Sequence, residues 1–296
     1  MSTQTEDGEM NQLTHNGTGF PFFSEDTSVE VVNLRMGGSV NPRLKQVMTC
    51  LIQHLHAFIK EIELTQEEWE LGIDFVTRTG QLCSEERQEF ILLSDVLGIS
   101  MLVDAVNNRH PFGATESTVF GPFHVEGAPH LEMGANISLD AKGEKCLFEG
   151  RVIDIEGNPI EGAVIDVWCD NAAGYYDVQQ PELQPKWNNR GVFITGADGL
   201  YSFYGIKPVS YPIPNDGPVG QLLEKLDRHP YRPAHIHFRV AAKGYRKLIT
   251  HIFTADSLYI DSDAVFGVKK SLITPFKKCD RSDAVWSAKY NFVLAS

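Results

Sequence analysis

Between His110 and Gly113 the period of the hydrophobic pattern changes, and this change restricts the chain to a helical part followed by a sheet part. Upstream, Val47, Leu51, Leu55, Phe58, Ile59 and Ile62 recur at three- and four-residue steps, which puts them on one face of an α-helix. Thr65-Gln66-Glu67-Glu68 reads as a capping box that opens a second helix through Trp69, Ile73 and Val76, because Thr65 and Glu68 can each satisfy an unpaired backbone donor. Ser84 is the expected cap of a third helix carrying Phe90, Leu93, Leu97, Leu102 and Val106. His54 and His56 stand two apart in the first helix, point to different faces and read as ordinary helix residues.

Downstream, short strand-like runs at 145–155, 163–169, 191–195, 200–204, 234–241 and 247–254 are separated by turn signals such as Glu156-Gly157-Asn158-Pro159. Asp198-Gly199 carries the signature of a hairpin between its flanking runs. The expected class is α+β, an N-terminal helical segment plus a C-terminal antiparallel β-sandwich. The expected division is a polar N-terminal tail over 1–32, a helical segment over 33–110 and the sandwich over 111–296.

Acidic residues outnumber basic ones by 39 to 26, for a formal charge of -13, and no basic run tracks a phosphate backbone, so no nucleic-acid partner is expected. No apolar stretch is long enough to span a bilayer, so no membrane insertion is expected either. Residues 1–24 lack the basic and apolar regions of a signal peptide. The five cysteines are odd in number and form no CxxC pair, which points to a reducing, cytoplasmic compartment.

The chemistry concentrates in Tyr231-Arg232-Pro233-Ala234-His235-Ile236-His237-Phe238-Arg239-Val240. In a strand His235 and His237 project to one side and Ile236 and Phe238 to the other, so the two imidazoles can chelate a metal or form a polar pair on a solvent face. The residues after Phe238 offer no carboxylate, and the cysteines are no better placed. Tyrosine is available in loop-like settings, in Gly174-Tyr175-Tyr176-Asp177 and Pro208-Val209-Ser210-Tyr211-Pro212. A phenolate is a hard anionic oxygen donor suited to a trivalent iron; two imidazoles, two phenolates and one hydroxide would balance its charge. Tyr231 and Tyr204 read as packed aromatics at the sandwich rim.

Gly-x-Tyr, then Pro-Val-x-Tyr, then Arg-Pro-x-His-x-His resembles the intradiol catechol dioxygenases, and the likeness extends over most of the chain beyond the tail. The 111–123 and 256–267 segments look most like the hydroxyquinol and chlorocatechol branches. The resemblance implies a non-haem iron(III) held by Tyr176, Tyr211, His235 and His237. It implies that a dihydroxybenzene binds the metal through both oxygens and displaces Tyr211, with Tyr211 or hydroxide taking up the released protons. O2 then opens the ring between the hydroxyl-bearing carbons, and all electrons come from the substrate.

In the family the arginine at the place of Arg232 stabilises charge on the substrate, and His251 stands where catechol enzymes commonly carry Gln. The pocket wall implied by the likeness maps to Leu92, Asp95, Val119, Phe120, Gly121 and Pro122, with Val265 and Phe266 beside them. Asp95 is expected to accept a hydrogen bond from an additional hydroxyl, which favours 1,2,4-trihydroxybenzene and a 3-hydroxy-cis,cis-muconate (maleylacetate) product; catechol or a chlorocatechol is the alternative.

The helices are implied to form a homodimer interface where a lipid can lodge. A transthyretin-like, non-catalytic binding module also accounts for the 157–163 turn and Asp198-Gly199, but not for both tyrosines, Arg232 and the paired histidines together.

Overall fold

The computed structural model describes residues 21–36, 41–85, 87–109 and 111–296; the expectation for residues 1–20 lies outside them. The chain divides into two compact units, 1–75 and 76–296. No helix among the described residues is long and apolar enough to cross a membrane.

The helices are α1 (Ser28–Arg35), α2 (Pro42–Glu61), α3 (Gln66–Gln81), α4 (Glu89–Val96), α5 (Ile99–Asn107) and α6 (Pro218–Lys225). Residues 28–32, expected in the tail, begin α1. α2 starts where Asn41 accepts a hydrogen bond from the Leu44 amide and Pro42 takes the first helical position, where a missing N–H costs nothing. The capping box of α3 forms: Thr65 N–H donates to Glu68 Oε2 at 3.0 Å and Glu68 N–H to Thr65 Oγ1 at 3.2 Å. The expected third helix is two helices. Its chain leaves α4 at Leu97 and turns at Gly98, with φ of +73°, before α5 begins. Ser84 does not cap it, because its hydroxyl is taken up in a turn with the Arg87 amide and Gln88 precedes α4 instead.

The strands are β1 (Lys145–Asp154), β2 (Val164–Trp168), β3 (Arg190–Ile194), β4 (Leu200–Ile206), β5 (Tyr211–Pro212), β6 (Tyr231–Arg232), β7 (His235–Ala241), β8 (Leu248–Thr254), β9 (Ile273–Thr274), β10 (Lys277–Lys278), β11 (Trp286–Lys289) and β12 (Phe292–Leu294). One sheet places β1 between β4 and the C-terminal strands β11 and β12, with β10 beyond β11; the other runs β3-β2-β7-β8-β9; β5 and β6 form a separate ribbon. The pairs β1–β4, β2–β3, β2–β7 and β7–β8 are antiparallel, as expected of a sandwich. The sheets are nonetheless mixed, since β11 and β12 return parallel to β1 and β9 parallel to β8.

Asp198-Gly199 does not close a hairpin. The backbone groups of β3 are used by β2 and those of β4 by β1, so the turn carries the chain from one sheet to the other.

The core lies between the sheets because every second residue of the central strands points inward. Phe148 and Val152 of β1 and Phe203 of β4 meet Ile165 and Val167 of β2, Phe193 of β3, Ile236, Phe238 and Val240 of β7, and Ile252 of β8. Phe203 is fully buried, stacks on Phe148 at 4.9 Å and on Phe193 at 5.1 Å between ring centroids, and faces Phe238. Phe203→Ala therefore opens a cavity that rigid strands cannot collapse into. A loss of about 3–5 kcal/mol is expected, read as a lower urea midpoint at unchanged slope.

Candidate metal centre

With Ile236 and Phe238 committed to the core, His235 and His237 face away from it. His237 occupies the middle of three strands, opposite Trp168 on β2 and His251 on β8. The indole of Trp168 stacks on the His237 imidazole, centroids 4.8 Å apart and planes 17° apart, while His251 meets its other side at 4.0 Å. His237 Nδ1 has no hydrogen-bond partner, so on that side ring packing holds the imidazole, while its Nε2 faces Tyr176. Trp168 is itself held edge-on by His124, whose Nε2 lies 2.8 Å from Asp166.

The two tyrosines arrive from separate loops. After β2, Asn171 Oδ1 accepts hydrogen bonds from the Ala173 and Tyr175 amides and folds a tight turn. Gly174, with φ of +81°, lets this turn approach the next loop: a Cβ there would stand 2.9 Å from the Cβ of Tyr211. The turn leaves Tyr175 exposed and Tyr176 fully buried, stacked on Phe123 at 4.5 Å. Tyr211 lies in the β5–β6 ribbon directly opposite Arg232. Tyr231, its neighbour on the ribbon, stacks on Tyr259 at 4.7 Å, and Tyr204 lies under Lys145.

Four donor atoms close into a ring. Tyr176 Oη lies 2.8 Å from His237 Nε2 and 3.3 Å from Tyr211 Oη, Tyr211 Oη lies 3.5 Å from His235 Nε2, and the two Nε2 atoms are 3.2 Å apart. Bonds of about 2.1 Å to a common centre put neighbouring donors about 3.0–3.4 Å apart, so the ring has the size that a single metal ion imposes on its ligands. His235 Nδ1 donates to the Pro233 carbonyl at 2.7 Å, an arrangement that leaves the Nε2 lone pair facing the ring. One ring nitrogen of His251 joins the same histidine cluster, whose three ligand atoms all lie within 4.8 Å of one another.

The electrostatics suit a cation. Burial, then the charge of Arg232, pushes His235 down to about 3; burial and the neighbouring imidazoles hold His237 and His251 far below the ordinary range, so all three are neutral. Burial likewise raises both phenols, and Arg232 opposes the rise for Tyr211. Arg232 is fixed by Asp263 through Nε at 3.1 Å and Nη2 at 3.2 Å, and its Nη1 lies 3.1 Å from His235 Nε2. Burial alone would raise the Asp263 carboxyl, yet the attraction of Arg232 brings it below the usual range.

A cavity of about 530 Å³ lies on the Gly121 side of His237 and is lined by Asp95, Val119, Phe120, Gly121 and Pro122. Leu92, Asp95, Pro122 and Phe123 line a smaller space of about 70 Å³ next to it. Asp95 is half-buried; burial raises its carboxyl, while a hydrogen bond from Ser100 and the charge of Arg232 pull the other way. Val265 is buried against Val96, Leu92 and Val119, and Phe266 is half-exposed; neither lines these two cavities.

Trp168, Phe123 and Asp263 were not singled out from the sequence. The alternation of β2 could have flagged Trp168 as the last inward or outward residue before the loop, whereas nothing local marks Asp263. A buried carboxyl at Asp170 was also missed. Its Oδ1 accepts from the Cys169 thiol at 3.1 Å, its Oδ2 has no partner, and burial pushes it up to about 8.

A family profile described as "Dioxygenase" matches residues 119–296, and one described as "Catechol dioxygenase N terminus" matches residues 41–115. The chain is 54% identical to a hydroxyquinol 1,2-dioxygenase of Rhizobium sp. (strain MTP-10005), covering 93% of this chain and 96% of that one. It is 49% identical to a 6-chlorohydroxyquinol 1,2-dioxygenase of Cupriavidus pinatubonensis, covering 92% and 98%. Among solved structures, a hydroxyquinol 1,2-dioxygenase from Pseudomonas putida DLL-E4 superposes with a TM-score of 0.87 at 48% identity, covering 91% and 98%.

Two expectations follow from this geometry. Gly121 has φ of +77°, and a Cβ there would stand 3.0 Å from His237 Cε1, so Gly121→Ala displaces the imidazole. Metal retention against a competing chelator is expected to fall about tenfold or more with the far-ultraviolet spectrum unchanged; undiminished retention would free Gly121 of this role. For Asp170, an unfolded carboxyl ionises near 3.9, so between roughly pH 4 and 8 the folded metal-free protein holds a proton that the unfolded chain has released. Stability then falls as pH rises through that window. Asp170→Asn should raise the melting temperature of the metal-free protein more at pH 8 than at pH 5, and an equal gain at both would mean that the carboxyl ionises in place.

Proposed function

This chain belongs to the intradiol dioxygenase family, and on that premise we propose that it uses O2 to open 1,2,4-trihydroxybenzene between two adjacent hydroxyl-bearing carbons. The observation that carries this reading is the closed ring of two imidazole nitrogens and two phenol oxygens with one nitrogen of a pinned guanidinium beside it. Hard phenolate oxygens with neutral imidazoles suit iron(III), and Tyr176, Tyr211, His235 and His237 are its ligands in this proposal. When bound, the iron supplies a Lewis acid that withdraws electron density from a chelated aromatic diol and opens it to attack by O2.

The chain's own residues supply the rest. Tyr211 is the donor with the largest exposed fraction, at 6%, and the one beside Arg232, so it is the phenolate suited to leave its place and become a phenol by taking a proton from the entering diol at its Oη. Arg232 cannot follow it, because two of its nitrogens are tied to Asp263; its fixed charge stabilises negative charge on the substrate. His251 closes the far side of His237 and supports its orientation. Val119, Phe120, Gly121, Pro122 and Leu92 exclude water from the aromatic face, and Val265 and Phe266 back that wall.

Asp95 lies within the electrostatic reach of Arg232 and lines the cavity, where its carboxylate accepts the hydrogen bond of a third ring hydroxyl. A site built to satisfy that hydroxyl discriminates against a substrate lacking it far more than an apolar wall would. The non-catalytic sandwich module leaves the donor ring and the pinned arginine without a purpose.

In the same reading, residues 111–296 form the catalytic domain and the helical segment 33–110 carries the dimer contact. The exposed apolar residues of α2, Leu51, Leu55 and Phe58 among them, support a homodimer with room for a lipid. The five free cysteines fit a reducing cytoplasm.

Initial O2 uptake by the iron-loaded protein, corrected for autoxidation, is expected to give a kcat/KM for 1,2,4-trihydroxybenzene at least about tenfold above that for catechol. Asp95→Asn should compress the ratio toward unity. Tyr176→Phe should lose iron and activity. A clear preference for catechol would keep the reaction type and discard the Asp95 reading, whereas no uptake with either substrate would discard both.

A further inference from the structure

Arg228 touches neither the donor ring nor the cavity beside it, yet it joins the two elements that carry Asp95 and Asp263. Its Nη1 donates to the carbonyl of Val96, the last residue of α4, at 2.6 Å, and its Nη2 donates to the carbonyl of Ala264 at 3.0 Å. Its guanidinium lies 4.9 Å over the ring of Phe266. That ring in turn backs the α4–α5 turn so closely that a Cβ on Gly98 would stand 3.4 Å from it.

Val96 follows Asp95 directly, and Ala264 follows Asp263, the carboxylate that pins Arg232. One side chain thus spans the backbone next to both. α4 and this loop also meet in an apolar cluster that includes Val96, Ala264, Val265 and Leu92, which resists separation but has no directional preference against sliding. Two hydrogen bonds from one planar fork do fix direction, and a charge at the end of α4 also complements the helix dipole.

We infer that Arg228 is a positioning residue for substrate specificity: it sets the distance and angle between the Asp95 carboxylate and the Arg232 guanidinium, and so decides whether a bound ring can present a third hydroxyl to Asp95 while its diol faces the metal centre. The inference rests on the Asp95 reading above. A hydrogen bond to a substrate hydroxyl is sensitive to displacements of about half an ångström, which is the scale of slack that losing this fork introduces. Arg228 also lines an open cleft of about 610 Å³, so water can reach the two carbonyls when the guanidinium is removed.

The test compares Arg228→Met, Arg228→Lys, Asp95→Asn and the Arg228→Met/Asp95→Asn double variant, each as the full chain loaded with iron. Iron content, visible absorption of the resting protein and kcat/KM for 1,2,4-trihydroxybenzene and catechol are measured. Arg228→Met is expected to retain its iron and absorption, to change little toward catechol, and to lower the trihydroxybenzene-to-catechol ratio about tenfold. Arg228→Lys, which keeps the charge without the fork, should recover part of the ratio and serves alone if the Met variant does not fold. In the Asp95→Asn background Arg228→Met should leave the ratio where it is.

Proportional losses on both substrates, or a further fall of the ratio in the Asp95→Asn background, would overturn the inference. If Asp95→Asn collapses the ratio but neither Arg228 variant moves it, only the role of Arg228 is lost. If Asp95→Asn itself leaves the ratio intact, the Asp95 reading fails and the positioning role goes with it.

Discussion

Everything at the metal centre depends on β7 being hydrogen-bonded on both edges. A strand paired with β2 and β8 cannot slip by one residue without turning Ile236, Phe238 and Val240 out of the core, so the register that fills the core is the register that presents His235 and His237. The donors are thereby held by the same apolar packing that holds the fold. The cross-strand neighbours Trp168, stacked, and His251, edge-on, then hold the His237 ring from both sides, where its Nδ1 has no hydrogen-bond partner.

This arrangement is costly without a cation. Three neutral imidazoles, two phenols and a guanidinium occupy a nearly dry space, and the hydrogen bonds among them cannot satisfy every group: His251 lacks a well-formed partner at either nitrogen and His237 at one. A metal ion reverses the balance, since the burial that raises the phenols and lowers the imidazoles in its absence strengthens their attraction to a positive centre. The Arg232–Asp263 pair is kept outside that exchange. Its carboxylate anchors the guanidinium from behind, and one nitrogen still faces His235, so a fixed cationic group stays beside the donor ring.

The sequence made legible whatever has a short local period. The paired histidines, the capping box at Thr65 and the alternation of the sandwich strands all rest on residues two to four apart, and the geometry follows from that spacing. The resemblance supplied the tyrosines, because nothing about a loop tyrosine distinguishes Tyr176, fully buried, from Tyr175 beside it, half-exposed. What stayed hidden was set by contacts between distant segments. Asp198-Gly199 makes a turn as its chemistry dictates, but which sheet the next strand joins depends on β1, about fifty residues earlier, and no local signal carries that choice. The break at Gly98 and the parallel return of β11 and β12 are of the same kind.

The same distinction separates reaction type from substrate choice. In the proposed reading the reaction type resides in two donors on β7, one on the β5–β6 ribbon and one, Tyr176, in the turn after β2. In the same reading substrate choice resides in α4, a helix of eight residues that meets the 263–267 loop through apolar side chains and Arg228. A left-handed turn at Gly98 ends α4, whereas β7 is paired along both edges, so in the proposed reading substitutions in α4 retune which ring substituents are accepted while the metal ligands stay in register. On this reading a change of substrate needs only a small displacement of one helix, whose apolar cluster is separate from the one that fills the sandwich.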